Sequence, residues 1–182
     1  KLGANGQRDT ILDGPEDYQR LFATLYAMET ERRLRAPVAD AIRVIALTGC
    51  RRGEIAGLKW SHVDLKGGRI VLPAMAHKAG RRTGKSRIIA LPTAAQEIIA
   101  RQPQGEPDAY VFQPAKGEGV VNLSHPWRKI RTEAKLPEGI GLHGLRHTMA
   151  SALAMGGAGA SEIQAALGHA TIAMASKYVH WA

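Results

Sequence analysis

The sequence predicts a mainly helical domain with a small β element, and three observations point to it. Apolar residues recur at helical spacing over most of the chain from Pro15 onward. Between Val63 and Leu91 that period gives way to short extended runs. The last fifth, His143 to His180, divides into three short helices at glycines and capping residues.

Residues 1–14 are Gly-rich and polar without an apolar period, and are expected to be a linker; the domain is expected to run from 15 to 182. Pro15 suits the first turn of a helix whose apolar stripe is Tyr18, Leu21, Phe22, Leu25 and Tyr26. The charged run Glu29–Arg35 reads as a solvated turn. A second helix, Pro37 to about Leu47, turns Val38, Ile42, Ile45 and Ala46 inward and breaks at Thr48-Gly49. In TGCRRGEIAGLKW, Arg51 and Glu54 have helical i, i+3 spacing, so the carboxylate can hold the guanidinium in one orientation.

Arg69–Leu72 and Arg87–Leu91 read as strands, with a middle segment around Met75 to Lys78. The loop between them carries Lys78, Arg81, Arg82, Lys85 and Arg87, a density of cations that suits phosphates. GRRTGKS within it is no P-loop, having three residues between the glycines where four are needed and no helix expected after it. Pro92–Arg101 is a helix, and 102–121 a loop with an apolar run at Tyr110-Val111-Phe112. Ser124 is expected to cap a further helix. Its basic stripe Arg128, Arg131 and Lys135 lies beside an apolar one of Trp127, Ile130 and Ala134, a face suited to a DNA backbone.

In the final fifth, the first helix runs from about His143 to Met155. The second opens at Ser161, with Gln164 at capping-box spacing, and closes at Gly168; the third begins near Thr171. Leu145, Met149, Leu153, Ile163, Ala166 and Leu167 are expected to share one core. Against it stand His143, Arg146, His169 and, nine residues on, Tyr178. Two imidazoles, a guanidinium and a phenol suit a phosphate with a charged transition state. His143 and His147 have the spacing of a zinc-binding pair, but Gly144 stands where the required Glu would be and Arg146 puts a fixed cation between the rings.

With 182 residues the chain can bury one real core. Lys and Arg outnumber Asp and Glu 25 to 16, a net charge of +9, which points to a polyanion, nucleic acid first. No run is long enough to span a membrane, and no membrane partner is expected. Cys50 is the single cysteine, so no internal disulfide can form; it reads as a small buried thiol and fits a reducing cytoplasm.

The ordered set TGCRRGE at 48–54, a lysine in the hairpin, HGLRH at 143–147, LGH at 167–169 and the tyrosine at 178 resembles the catalytic domain of the tyrosine recombinases, the phage integrase family. The resemblance covers nearly all of the chain from residue 10 onward. It implies a mainly α fold with a small three-stranded antiparallel β-sheet, and an N-terminal core-binding domain, outside this sequence, to which residues 1–14 would lead. By resemblance Arg51 and Arg146 clamp the scissile phosphate and Glu54 supports the site. His143 shares acid–base and phosphate-binding roles, His169 contacts the phosphate and Tyr178 is the nucleophile. Lys78 matches the hairpin lysine, with Lys85 its rival. Gly144 replaces an acidic residue frequent in the family.

The chemistry implied is cleavage and rejoining of double-stranded DNA through a 3′-phosphotyrosyl link, with no cofactor, metal or ATP. Two guanidiniums meet the phosphate charge, and a lysine can protonate the departing 5′ oxygen. The implied partners are DNA and further copies of the protein in a tetrameric synapse, whereas the isolated chain is expected to be a monomer. A bacterial or phage-encoded, nucleoid-associated protein fits. The alternatives are a type IB topoisomerase-like relaxing enzyme and a catalytically silent DNA-binding regulator of the same fold.

Overall fold

The segment Ala36–Thr48 is apolar on almost every side, and all its residues from Val38 to Thr48 are buried. A helix of that pattern has to sit inside the molecule. In a computed structural model describing residues 10–12, 15–117 and 119–155, it is the second helix and the axis of the fold. The elements run α1 (Pro15–Thr30), α2 (Ala36–Thr48), α3 (Arg52–Ala56), β1 (Val63–Asp64), β2 (Arg69–Leu72), α4 (Lys78–Thr83), β3 (Arg87–Ala90), α5 (Thr93–Ala100), α6 (Ser124–Glu133) and α7 (Leu142–Met155).

Helices α1, α3, α5 and α7 all pack on α2. Leu21, Phe22 and Leu25 of α1, Ile98 and Ile99 of α5 and Leu145 of α7 are among the fully enclosed side chains around it. Each such side chain contributes about 1.5–3 kcal/mol through the area it removes from water. Leu12 joins the core, and its N–H donates to Thr148 Oγ1 at 3.0 Å. Two charges lie within this apolar axis. Arg43, 2% exposed, donates to Asp40 at 2.7 Å and to Glu29 at 2.9 Å. Asp40 also accepts from Gln102 at 2.7 Å and from Arg101, which ties α2 to the end of α5. Burial raises the Asp40 carboxyl pKa, but hydrogen bonds from Arg101, Gln102 and Arg43 outweigh it and hold the group below the usual carboxylate range.

The sheet is antiparallel in the order β1-β2-β3, with Val63 opposite Ile70 and Ile70 opposite Ile89. Ile70, Leu72 and Ile89 face the core, whereas Ile88 faces out. The strands at 69–72 and 87–90 agree with the sequence pattern, but the third strand is Val63–Asp64. The middle segment is helical instead: a 3-10 turn at Ala74–Ala76 followed by α4. No long transmembrane-type helix occurs among the described residues.

Several local expectations are corrected. Tyr26 is 66% exposed, because Met28 rather than Tyr26 completes the buried stripe of α1. Leu34 is buried within the charged 29–35 turn, and Arg33 makes a two-pronged pair with Glu133 at 2.8 and 2.7 Å. Ser124 lies inside α6 and accepts from Arg52, while Asn122 Oδ1 accepts from the His125 N–H at 3.3 Å. Lys135 falls beyond the end of α6 with φ 55°, in the left-handed region, and so leaves the helical stripe of Arg128 and Arg131. The expected helices after Met155, with Ile163, Ala166 and Leu167, lie outside the described residues, as do residues 1–9, 13 and 14 of the expected linker, whereas Leu12 within that stretch packs into the core.

Candidate active site

The site begins where α2 ends. Gly49 closes the helix with φ 69°, a left-handed conformation that glycine adopts without strain, and its N–H donates to Ile45 O. The reversal leaves the Gly49 carbonyl free of the helix, and Arg146 of α7 donates to it at 2.7 Å. Two residues on, the Arg51 N–H donates to Glu54 Oε1 at 2.8 Å, so the carboxylate caps the start of α3 from within its first turn.

Glu54 is 4% exposed and its second oxygen is also used. Arg87, at the start of β3, donates to Oε2 at 2.5 Å, and Arg51 Nη1 lies 3.9 Å from the same oxygen. One buried carboxylate thus has a guanidinium in contact and another close by. Arg146 belongs to the same group: burial first, then the charges of Arg87 and Arg51, push its pKa below the usual guanidinium range. Three guanidiniums thus stand near one carboxylate, and Arg51 among them lines an open groove. An anion is the natural fourth member.

The groove encloses about 500 Å³ and is lined by Arg51, Lys78, Arg128, Arg131 and His143, together with Arg52 and Trp127. Arg128 and Arg131 come from α6, whose position is fixed at its end. Trp127 Nε1 donates to Ile140 O at 2.8 Å and Arg131 to the same carbonyl at 3.1 Å, linking α6 to the turn that opens α7. His143 stands on the first turn of α7 with His147 edge-on, ring centroids 4.5 Å apart. No group of three or more metal-type ligands occurs among the described residues. Gly144 is there for space: a Cβ would lie 2.5 Å from Ile140 Cγ1 and 2.7 Å from Thr10 O. Behind Arg51, the buried Cys50 thiol is pushed up to about 11 by burial and then by Glu54, so it stays protonated.

The structure therefore brings Arg51, Glu54, Arg146, Lys78 and His143 to one region, and adds Arg87 as the direct partner of Glu54. Arg52, at the groove and not singled out in the sequence, is masked there by the stronger pattern of its neighbour Arg51. Arg81, Arg82 and Lys85 are exposed on the segment between β2 and β3, outside the groove lining. His169 and Tyr178 lie outside the described residues.

A helical domain with a three-stranded sheet thus carries, beside a basic groove, a cluster of arginines around one buried carboxylate. The chain belongs to the phage integrase family, matching it over residues 14–182. It is 30% identical over 134 residues to a shufflon-specific DNA recombinase of Escherichia coli, an overlap of 73% of this chain and 32% of that protein. To prophage integrase IntF of Escherichia coli K12 it is 29% identical, over 81% of this chain and 31% of the relative. To tyrosine recombinase XerC of Pediococcus pentosaceus it is 24% identical, over 91% and 56%. The chain therefore spans between about a third and just over half of these relatives. The crystal structure of XerA recombinase shares the fold, with a TM-score of 0.61 over 94% of this chain and 59% of that one at 24% identity.

Proposed function

We propose that this chain is the catalytic domain of a site-specific DNA recombinase that cleaves and rejoins strands through a phosphotyrosyl intermediate. The observation that carries this reading is the buried Glu54 carboxylate bonded to Arg87 and close to Arg51, with Arg146 in the same charge cluster, beside a groove that Arg51 lines together with Lys78 and His143. Tyr178 Oη attacks the scissile phosphorus and forms a 3′-phosphotyrosyl bond. The bond to the 5′ oxygen breaks, and Lys78 supplies the proton that this leaving oxygen needs. Arg51 and Arg146 hold the non-bridging oxygens and meet their growing charge, while His143 and His169 hydrogen-bond the phosphate or relay the tyrosine proton. A 5′-hydroxyl from a partner strand then attacks the phosphotyrosine, and the tyrosine leaves with its proton restored. The phosphodiester energy is kept, so neither nucleotide nor metal enters.

Double-stranded DNA and further copies of the protein on it are the proposed partners, with Arg128 and Arg131 along the backbone and Arg81, Arg82 and Lys85 on flanking phosphates. The recombinase names of the relatives support this reading. The test is covalent capture on DNA resolved in a denaturing gel. Tyr178→Phe should abolish the adduct while leaving DNA affinity within a few-fold, and the parent adduct should persist in EDTA. Undiminished adduct with Tyr178→Phe removes that residue from the mechanism. Loss in EDTA restored by magnesium replaces the reading with a metal nuclease.

A further inference from the structure

The segment joining β2 to β3 is held by a histidine that the proposed chemistry does not use. His77 is 4% exposed and stands at the N-cap of α4. Its Nδ1 accepts from the Gly80 N–H at 3.1 Å, and its Nε2 lies 2.9 Å from Lys85 O. An amide N–H can only donate and a carbonyl can only accept, so the ring is neutral with its proton on Nε2. One side chain thereby ties the first turn of α4 to the start of the run into β3. The fit is close, since a Cβ at Gly80 would collide with the imidazole Nε2 and with Ala74 O. Lys78, the next residue, is exposed and lines the groove that Arg51 and His143 also line.

We propose that His77 is a positioning residue for Lys78, its imidazole clamping both ends of the basic segment so that the ammonium is presented to the groove. The inference rests on the reading of Lys78 as the proton donor to the leaving oxygen. A lysine has a flexible four-carbon stem, so its usefulness as a donor depends on how firmly its backbone is held. Packing alone does not account for the ring. An apolar residue of similar size would fill the space and leave the Gly80 N–H and the Lys85 carbonyl unpartnered.

The experiment compares His77→Leu, His77→Asn and Lys78→Ala with the parent in single-turnover covalent cleavage. The substrate is a duplex carrying the site recovered from trapped adducts, made with oxygen or with sulfur at the bridging 5′ position. A thiolate departs without a proton, so sulfur bypasses the donor. His77→Leu is expected to slow the oxygen substrate by about a hundred-fold, the usual scale for a catalytic group misplaced by an ångström. It should cleave the sulfur substrate within a few-fold of the parent. His77→Asn restores only the cap to α4 and should fall between, which keeps the test open if His77→Leu unfolds.

If His77→Leu cleaves oxygen at the parent rate, or is slowed equally on both substrates while sulfur rescues Lys78→Ala, the His77 inference is wrong and the reading of Lys78 stands. If sulfur fails to rescue Lys78→Ala, the proton-donor reading falls and this inference with it. Independently of cleavage, long-range ¹H–¹⁵N NMR should show the His77 proton on Nε2; a proton on Nδ1 overturns the clamp.

Discussion

Glu54→Gln is the substitution that separates holding a charge from contacting DNA. It keeps the shape of the side chain and removes one negative charge from among three guanidiniums. The carboxylate accepts from the Arg51 N–H at 2.8 Å and from Arg87 at 2.5 Å. A glutamine has one oxygen for these two donors. With that oxygen toward Arg87, its NH2 faces the Arg51 N–H, and the reverse orientation sets NH2 against a guanidinium. One charged hydrogen bond is lost and the other weakened, each worth about 1.5–3 kcal/mol, for a total of roughly 2–4 kcal/mol. In a domain of this size that lowers Tm by about 5–15 °C.

The effect on DNA runs the other way. Without the carboxylate the local positive charge rises, so affinity should hold or improve. The slope of log K against log salt should steepen by no more than about one phosphate equivalent. Cleavage should nevertheless fall by about ten- to a hundred-fold, because Arg51 loses the carboxylate that holds its backbone at 2.8 Å and sits 3.9 Å from its guanidinium. The assays are thermal unfolding by circular dichroism, a salt series of fluorescence anisotropy on labelled duplex, and single-turnover adduct formation. An unchanged Tm, or affinity falling in step with cleavage, would refute the argument that Glu54 acts by fixing the arginines.

Two more outcomes follow from the same packing. Asp40→Asn should destabilise by about 3–5 kcal/mol at pH 7, since it leaves Arg43 buried with only Glu29 as a charged partner. Because the folded-state pKa of Asp40 is depressed, its contribution is fully present above the unfolded value near about 4 and is lost as pH falls through the lower folded value. The gap between parent and variant in urea unfolding should therefore narrow below about pH 4; a gap constant down to pH 2.5 contradicts the assignment. Gly144→Ala gains helix propensity but places a methyl against Ile140 and the Thr10 carbonyl, so a net loss of about 1–2 kcal/mol is expected. An unchanged urea midpoint shows that the contact yields freely.

What the sequence made legible was whatever repeats locally. The central helix announced itself because Val38, Ile42, Ile45 and Ala46 sit in an apolar run closed by Gly49, and β2 and β3 did so through their extended apolar runs. The third strand has two residues, too few for any period to register. Helix α4 was hidden because KAGRRT, flanked by strands and dense in cations, has the composition of a turn; its helix depends on the cap from His77. Ser124 has the right chemistry for a cap, but its hydroxyl is taken by Arg52, 72 positions away. The motif residues Arg51, Glu54, His143 and Arg146 were visible as short patterns. The bond from Arg87 to Glu54 spans 33 positions and belongs to tertiary structure alone.

In the proposed mechanism, the arrangement separates the groups that hold the phosphate from the one that delivers a proton. Arg146 is tied to a backbone carbonyl at the end of the buried central helix, and Arg87 to a buried carboxylate, which in turn fixes the backbone of Arg51. Packing three like charges together is unfavourable by itself, and after burial the charges of Arg87 and Arg51 are what lower the Arg146 pKa. The fold offsets it with Glu54 and leaves a surplus that a phosphate can neutralise. Groups held this way need little rearrangement when charge develops on the phosphate, the condition under which electrostatic stabilisation is largest. Lys78 is placed differently, at the start of a short exposed helix whose ends are clamped rather than buried. In the proposed mechanism, a proton donor on this segment is held independently of the bonds that fix the arginines. On this reading, substitutions at the Glu54 cluster should alter every substrate alike, whereas substitutions at the Lys78 clamp should alter only those whose leaving group needs a proton.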